Sequence, residues 1–319
     1  MRSQTLESPE PAVGQLAAIP GQTRKRRQLR LRRLLPIYLF ILPATAIFLT
    51  WTIYPLADAL VMSFYHWNLL TPSVFVGLNN YQRALSDPIF WQALRNGVMY
   101  TVISVPGQMV LGLAAALLLD QQIRFRAFFR TLYYLPVITS WVVVSLTFLY
   151  LYNGQVGPIN YLLHDVLHII PSYIFFLGDP NTALPSIATV NIWKGIGWTA
   201  VIYLAGLQSI PQEVYEAAMV DGAGRWQRFM KITIPLLRPT VLFLVVMLVI
   251  GSFNTFIQVY IMTNGGPLHS TETVLTYMYR NAFSSLDLGY GAAISYLFTL
   301  MLFVITMTEI RLLRRRYEY

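Results

Sequence analysis

The chain has 319 residues, 55% of them hydrophobic and 12% charged, with a formal charge of +9 and no cysteine. Length alone would allow two soluble domains, but this balance describes a protein that crosses a bilayer several times. Nucleic acid is excluded as a partner because the basic residues punctuate apolar runs and form no patch of their own, and the missing thiols exclude disulfides and cysteine-ligated metals.

Residues 1–33 are polar and end in a dense cluster of Arg24, Lys25, Arg26, Arg27, Arg30, Arg32 and Arg33. They are expected to form a disordered cytoplasmic tail lying on anionic lipid. The apolar run from Leu34 to Ala57 is too long for the core of a cleaved signal peptide, so it reads as a first span that stays attached. From residue 34 to 319 the pattern is that of one transmembrane domain. Six apolar runs, 35–57, 97–119, 132–152, 185–208, 240–262 and 290–311, are each long enough to cross about 30 Å of hydrocarbon at about 1.5 Å per residue. Pro106, Pro136, Gly195, Gly197 and Gly206 fall within these runs, where neighbouring helices can satisfy the backbone groups that such breakers free. The predicted fold class is therefore all-α, with six transmembrane helices.

Charge sets the orientation. Nineteen of the 23 Lys and Arg residues lie in the N-terminal tail, the 120–131 loop, the 209–238 loop and the C-terminal tail, all on one side of this six-span scheme. By the positive-inside rule both termini and the 209–239 loop are cytoplasmic. The opposite connections carry interfacial aromatics such as Trp67, Tyr81 and Trp91, or turn residues such as Gly154, Gly157 and Pro158. Glu272 and Asp287, on the last of them, are expected to be solvated charges. His164 and His168 are one helical turn apart, but the residues between them lack the Glu of a zinc-protease motif, so no metal is expected.

The cytoplasmic stretch from Ser209 to Thr240 is the most informative. Ser209 is expected to cap a helix with Pro211 in its first turn. Val214, Ala217, Ala218 and Asp221 then share one face, Gly222 and Gly224 stop the helix, and Pro235 and Pro239 break the chain before the next apolar run. A short helix with small residues on one face and a glycine bend at its tip suits docking into a partner's cleft. It supplies no nucleophile–base pair, and the chain is read as a non-enzyme. The residues Glu216-Ala217-Ala218, then three residues to Gly222, then nine to Ile232-Thr233-Ile234-Pro235, resemble the EAA signature of inner-membrane permeases of binding-protein-dependent ABC importers, with Ile234 where the family usually has Leu. Asn264-Gly265-Gly266-Pro267, preceded by Thr263, is similar to the first permease of maltose- and glycerol-phosphate-type importers. The resemblance covers roughly Leu34 to the C-terminus.

This resemblance implies a subunit of the inner membrane that pairs with a second, homologous permease and receives a sugar from an extracytoplasmic solute-binding protein. It also implies an ABC ATPase dimer docked on Glu216, Ala217, Ala218, Asp221 and Gly222. The chain has no G-x-x-x-x-G-K-[ST], so ATP would be bound by that separate subunit and no cofactor is expected here. Within the spans, Gly251, Ser252, Asn254, Thr255 and Gln258 cluster in the fifth run. Their polarity fits either hydrogen bonding between helices or a solute path. The resemblance favours the path and places Ser252, Asn254, Thr255 and Phe256 on it, with Gly195 and Trp198 from the fourth run. Lys194 departs from the maltose-type pattern; it either snorkels to the outer surface or binds an anionic solute group, which would make glycerol 3-phosphate the alternative cargo. A stand-alone secondary transporter would want carboxylates in mid-membrane, and only Glu309, at the end of a run, comes near that. A membrane-embedded enzyme would want a His/Asp/Glu or Ser/His cluster, which the scattered histidines do not supply.

Overall fold

The computed structural model describes residues 36, 38–68, 70–121 and 124–314, so the tail expected at 1–33 lies outside the described residues. The chain divides into two units, Met1–Asp58 and Ala59–Tyr319. Helix α1 (Tyr38–Met62) is apolar on every side and buries none of its most apolar stretch, the property of a helix solvated by hydrocarbon.

In the larger unit a two-residue antiparallel pairing of β1 (Tyr65–His66) with β2 (Val74–Phe75) precedes α2 (Asn79–Ser86). Asp87 then caps α3 (Pro88–Asp120), its carboxylate accepting from Ile89 N at 2.9 Å while Pro88 fills the first helical position. This helix starts nine residues before the expected span and runs straight through Pro106, so it is about 50 Å long. Helix α6 (Ala183–Gln208) lies along it. Small residues permit the close approach: a Cβ on Gly112 would stand 2.6 Å from Thr199 Cγ2, and one on Gly107 2.5 Å from Ile192 Cδ1.

Two expected spans are broken. The run 132–152 is α4 (Arg126–Ile138) and α5 (Trp141–Leu151), bent by 93°. Pro136 removes a backbone donor near the end of α4, and Ser140 restarts the chain as the cap of α5, accepting from Val142 N at 3.3 Å. The run 240–262 is α9 (Arg238–Phe253) and α10 (Ile257–Met262), interrupted at Asn254–Phe256. The last span is α12 (Leu288–Arg314), preceded by α11 (Val274–Tyr279).

Between α6 and α9 lie α7 (Gln212–Val220) and α8 (Arg225–Arg228), the latter continuing through a wide turn, Phe229–Thr233. Ser209 does not cap α7. It ends α6, its Oγ donating to Gly206 O at 2.7 Å, and Pro211 occupies the cap position of the next helix. A hydroxyl at a junction can serve either neighbour, and α6 extends far enough to claim it.

Three apolar clusters fill the larger unit, and α3 contributes to all of them. Phe90, Phe253, Tyr277 and Tyr290 belong to the first, Tyr100, Ile187 and Val259 to the second, and Tyr203, Leu237 and Leu244 to the third. The charges expected to be solvated are paired. Glu272 is fully buried, with Oε2 2.8 Å from Arg280 Nη1 and 2.9 Å from His269 Nδ1. Asp287 meets Arg83 at 2.7 Å. A buried carboxylate needs such partners, and Arg280 becomes one because α11 carries it back over the 264–272 loop, where its Nη2 also donates to Asn264 O at 2.7 Å.

Candidate functional site

The break between α9 and α10 is the floor of a cavity of about 480 Å³. Ser252 lines it from the end of α9, Asn254 and Phe256 from the break, Trp198 and Asn191 from α6, Trp141 from the start of α5, Gln108 from α3 and Gln258 from α10. Two indoles and a phenyl ring offer flat apolar faces, while amides offer donors and acceptors. None of the lining residues is charged. Ser252 Oγ is buried with no hydrogen-bond partner among the described residues.

Interruption of the helix is what exposes these groups. Asn254 closes α9, its Nδ2 donating to Ile250 O at 2.8 Å. Because the helix stops there, Asn254 and Gln258 do not share a continuous helical face. Thr255 is placed differently from its expected position: it does not line the cavity but sits behind the wall. Its carbonyl accepts from Thr273 Oγ1 at 3.0 Å and its Oγ1 from Gln258 Nε2 at 3.4 Å. Gly195 also stays out of the cavity. It faces α3, where a Cβ would stand 1.8 Å from Gln108 Oε1, so its smallness makes room for the glutamine that does line the cavity.

Lys194 neither reaches the outer surface nor points at the cavity. It is buried, and its ammonium donates to Pro136 O at 2.7 Å, Val137 O at 3.0 Å and Thr139 O at 2.8 Å at the α4–α5 break. Sequence reasoning missed Gln108, Trp141 and Asn191. An amide in the middle of an apolar run was the available signal for Gln108, whereas Trp141 and Asn191 come together only through the 93° bend.

At α7 the structure presents Glu216 and Ala217 on an exposed helix that buries no residue. The helix ends in a Schellman motif: Gly222 N donates to Met219 O at 3.1 Å and Ala223 N to Ala218 O at 2.8 Å, with Asp221 as the cap and Gly222 at φ +76°. Tyr215 ties it to the following turn through a 3.0 Å contact with Thr233 Oγ1. A cleft of about 600 Å³ opens between Gln208, Ile210, Tyr215, Glu216, Met219 and Arg228. Val220 is 90% exposed and Trp226 69%.

A transmembrane helical fold with a broken-helix cavity and an exposed helix on one loop is the architecture of a membrane transport protein. Residues 108–318 match the family described as binding-protein-dependent transport system inner membrane component, and the chain belongs to it, which makes it a transport permease. It is 35% identical over 287 residues to the sulfoquinovosyl glycerol transport system permease protein SmoG of Agrobacterium fabrum, covering 89% of this chain and 92% of that one. It is likewise 35% identical over 283 residues to the lactose transport system permease protein LacF of Rhizobium radiobacter, covering 88% and 94%. The fold matches a chain of a bacterial ABC transporter that imports the acidic polysaccharide alginate, with a TM-score of 0.79 and 24% identity over 92% of this chain and 100% of that one.

Proposed function

We propose that this chain forms half of the translocation path of an ATP-driven carbohydrate importer. The observation that carries the reading is the cavity at the α9–α10 break. Aromatic faces match the C–H faces of pyranose rings, and uncharged amides match their hydroxyl groups. A wall without charge suits a neutral mono-, di- or short oligosaccharide better than a phosphorylated polyol. The one intramembrane cation that suggested such a cargo, Lys194, is fully engaged by backbone carbonyls.

In this reading both termini and the 209–239 loop are cytoplasmic, a second permease completes the path, and an extracytoplasmic binding protein delivers the solute. A separate ATPase receives α7 in its cleft, with Glu216, Ala217 and Ala218 at the contact and Asp221 and Gly222 shaping its tip. Closure of the ATPase dimer pushes α7, α6 moves with it, and the cavity turns to the opposite side of the membrane. The test is uptake by vesicles reconstituted with the co-purified importer, loaded with ATP and offered lactose, maltose or trehalose together with the binding protein. ATP-dependent uptake that falls in Trp198→Ala is expected. Flux of equal size without ATP or binding protein would refute the reading.

A further inference from the structure

An ammonium within an apolar span is costly to bury, yet Lys194 is only 6% exposed and, among the described residues, pairs with no carboxylate. Its three N–H groups are all used on Pro136 O, Val137 O and Thr139 O, within 3.0 Å. These carbonyls belong to the last turn of α4 and its cap, where a helix leaves acceptors without intrahelical donors and carries partial negative charge. Pro136 O also accepts from Thr139 N at 3.3 Å, whereas the bend leaves Val137 O and Thr139 O with Lys194 as the donor that reaches them. The same ammonium lies 5.0 Å from the centroid of the Trp141 ring, and Trp141 is both the first residue of α5 and part of the cavity wall. One side chain thus fixes the backbone of the break and the indole that the break presents.

We propose that Lys194 is a positioning residue for solute passage: it clamps the α4–α5 break onto α6 and so holds Trp141 in the cavity wall. The proposal rests on the reading of that cavity as the solute path. It also gives α6 a second role. Only three residues separate α6 from α7, so a displacement delivered at α7 reaches α6, and the Lys194 clamp carries Trp141 with it.

Hydrogen–deuterium exchange of residues 134–146 in the purified importer complex tests the clamp without any solute. In Lys194→Met, which keeps the apolar stem and removes the donors, the amides from Thr139 to Val144 are expected to exchange roughly tenfold faster or more, with α9 and α10 unchanged. Wild-type exchange there, or acceleration spread along all of α3 and α6, would overturn the clamp. Uptake of lactose, maltose and trehalose tests the consequence for solute. Lys194→Met is expected to raise the half-saturating concentration roughly tenfold with the maximal rate within about twofold, and to add nothing further in a Trp141→Ala background. Additive effects of the two substitutions, or an unchanged half-saturation, would overturn the link to Trp141. If the wild-type importer moves none of these sugars, the carbohydrate reading fails, and exchange alone decides the role of Lys194.

Discussion

Two glycines two residues apart on α6 should respond unequally to the same added methyl group. A Cβ on Gly197 would stand 2.2 Å from Tyr133 O and 2.9 Å from Val137 Cγ2. The first of these is backbone, so no side-chain rotation relieves it, and α4 would have to retreat by roughly 1 Å to restore ordinary contact. That retreat also draws the Pro136 and Val137 carbonyls away from Lys194. Overpacking of this kind costs about 1–3 kcal/mol, and loss of hydrogen bonds to a charged donor places Gly197→Ala at the upper end. The expected fall in the melting temperature of the detergent-solubilised chain is on the order of 5 °C or more. Gly195→Ala meets instead the far end of Gln108, which can rotate away, so its melting temperature should change by less than about 2 °C. The displaced amide alters the cavity wall, and the apparent affinity for solute should change. If Gly197→Ala melts with the wild type, or Gly195→Ala is the less stable of the two, the α4–α6 packing is not as described.

Other perturbations probe separate parts. Gly222→Ala places a side chain at φ +76° with open space around it, so only backbone strain of about 1 kcal/mol opposes it. The tip of α7 should fray and retain less ATPase in a pull-down, while the melting temperature of the spans is unaltered. Glu216→Lys, at an exposed position, should likewise weaken ATPase recovery without unfolding the chain. Arg280→Ala leaves the fully buried Glu272 carboxylate without its guanidinium and should cost about 3–5 kcal/mol, read as a melting shift larger than that of Glu272→Gln. Burial opposes ionisation of Asp87, but hydrogen bonds from Tyr277, Tyr290 and the Ile89 and Phe90 amides outweigh it and hold its carboxyl below the ordinary 3.8. Because the folded value is the lower one, its contribution is complete above about pH 5 and is lost as pH falls through 3.8 and below. Melting between pH 5 and 8 should not depend on this group, and Asp87→Asn should flatten the acid limb of the profile.

Much of this protein was decided locally. Lengths of apolar sequence specified membrane helices because a bilayer satisfies no backbone hydrogen bond, and the glycine after Asp221 specified the end of α7 because a left-handed cap disfavours any side chain. The residue pattern left Ser252 and Asn254 open between helix-to-helix hydrogen bonding and a solute path. The family resemblance put them, Phe256 and Trp198 on a path with Thr255 and Gly195, and the cavity is lined by the first four and not by the last two. Pairings between distant segments were not legible. Lys194 finds three carbonyls more than 50 residues away, Glu272 finds Arg280 only because α11 returns over its own loop, and Gln108 and Trp141 reach one cavity from different helices. Hydropathy gives each segment its place in the bilayer, but a 93° bend depends on who supplies the donors for the carbonyls it exposes. The sequence alone determined that the chain crosses the membrane in helices and carries one short helix, α7, on the loop after α6. The tertiary structure decided where those helices break and which side chains the breaks bring together, because a broken span in a low-dielectric medium exists only where another segment completes its hydrogen bonds.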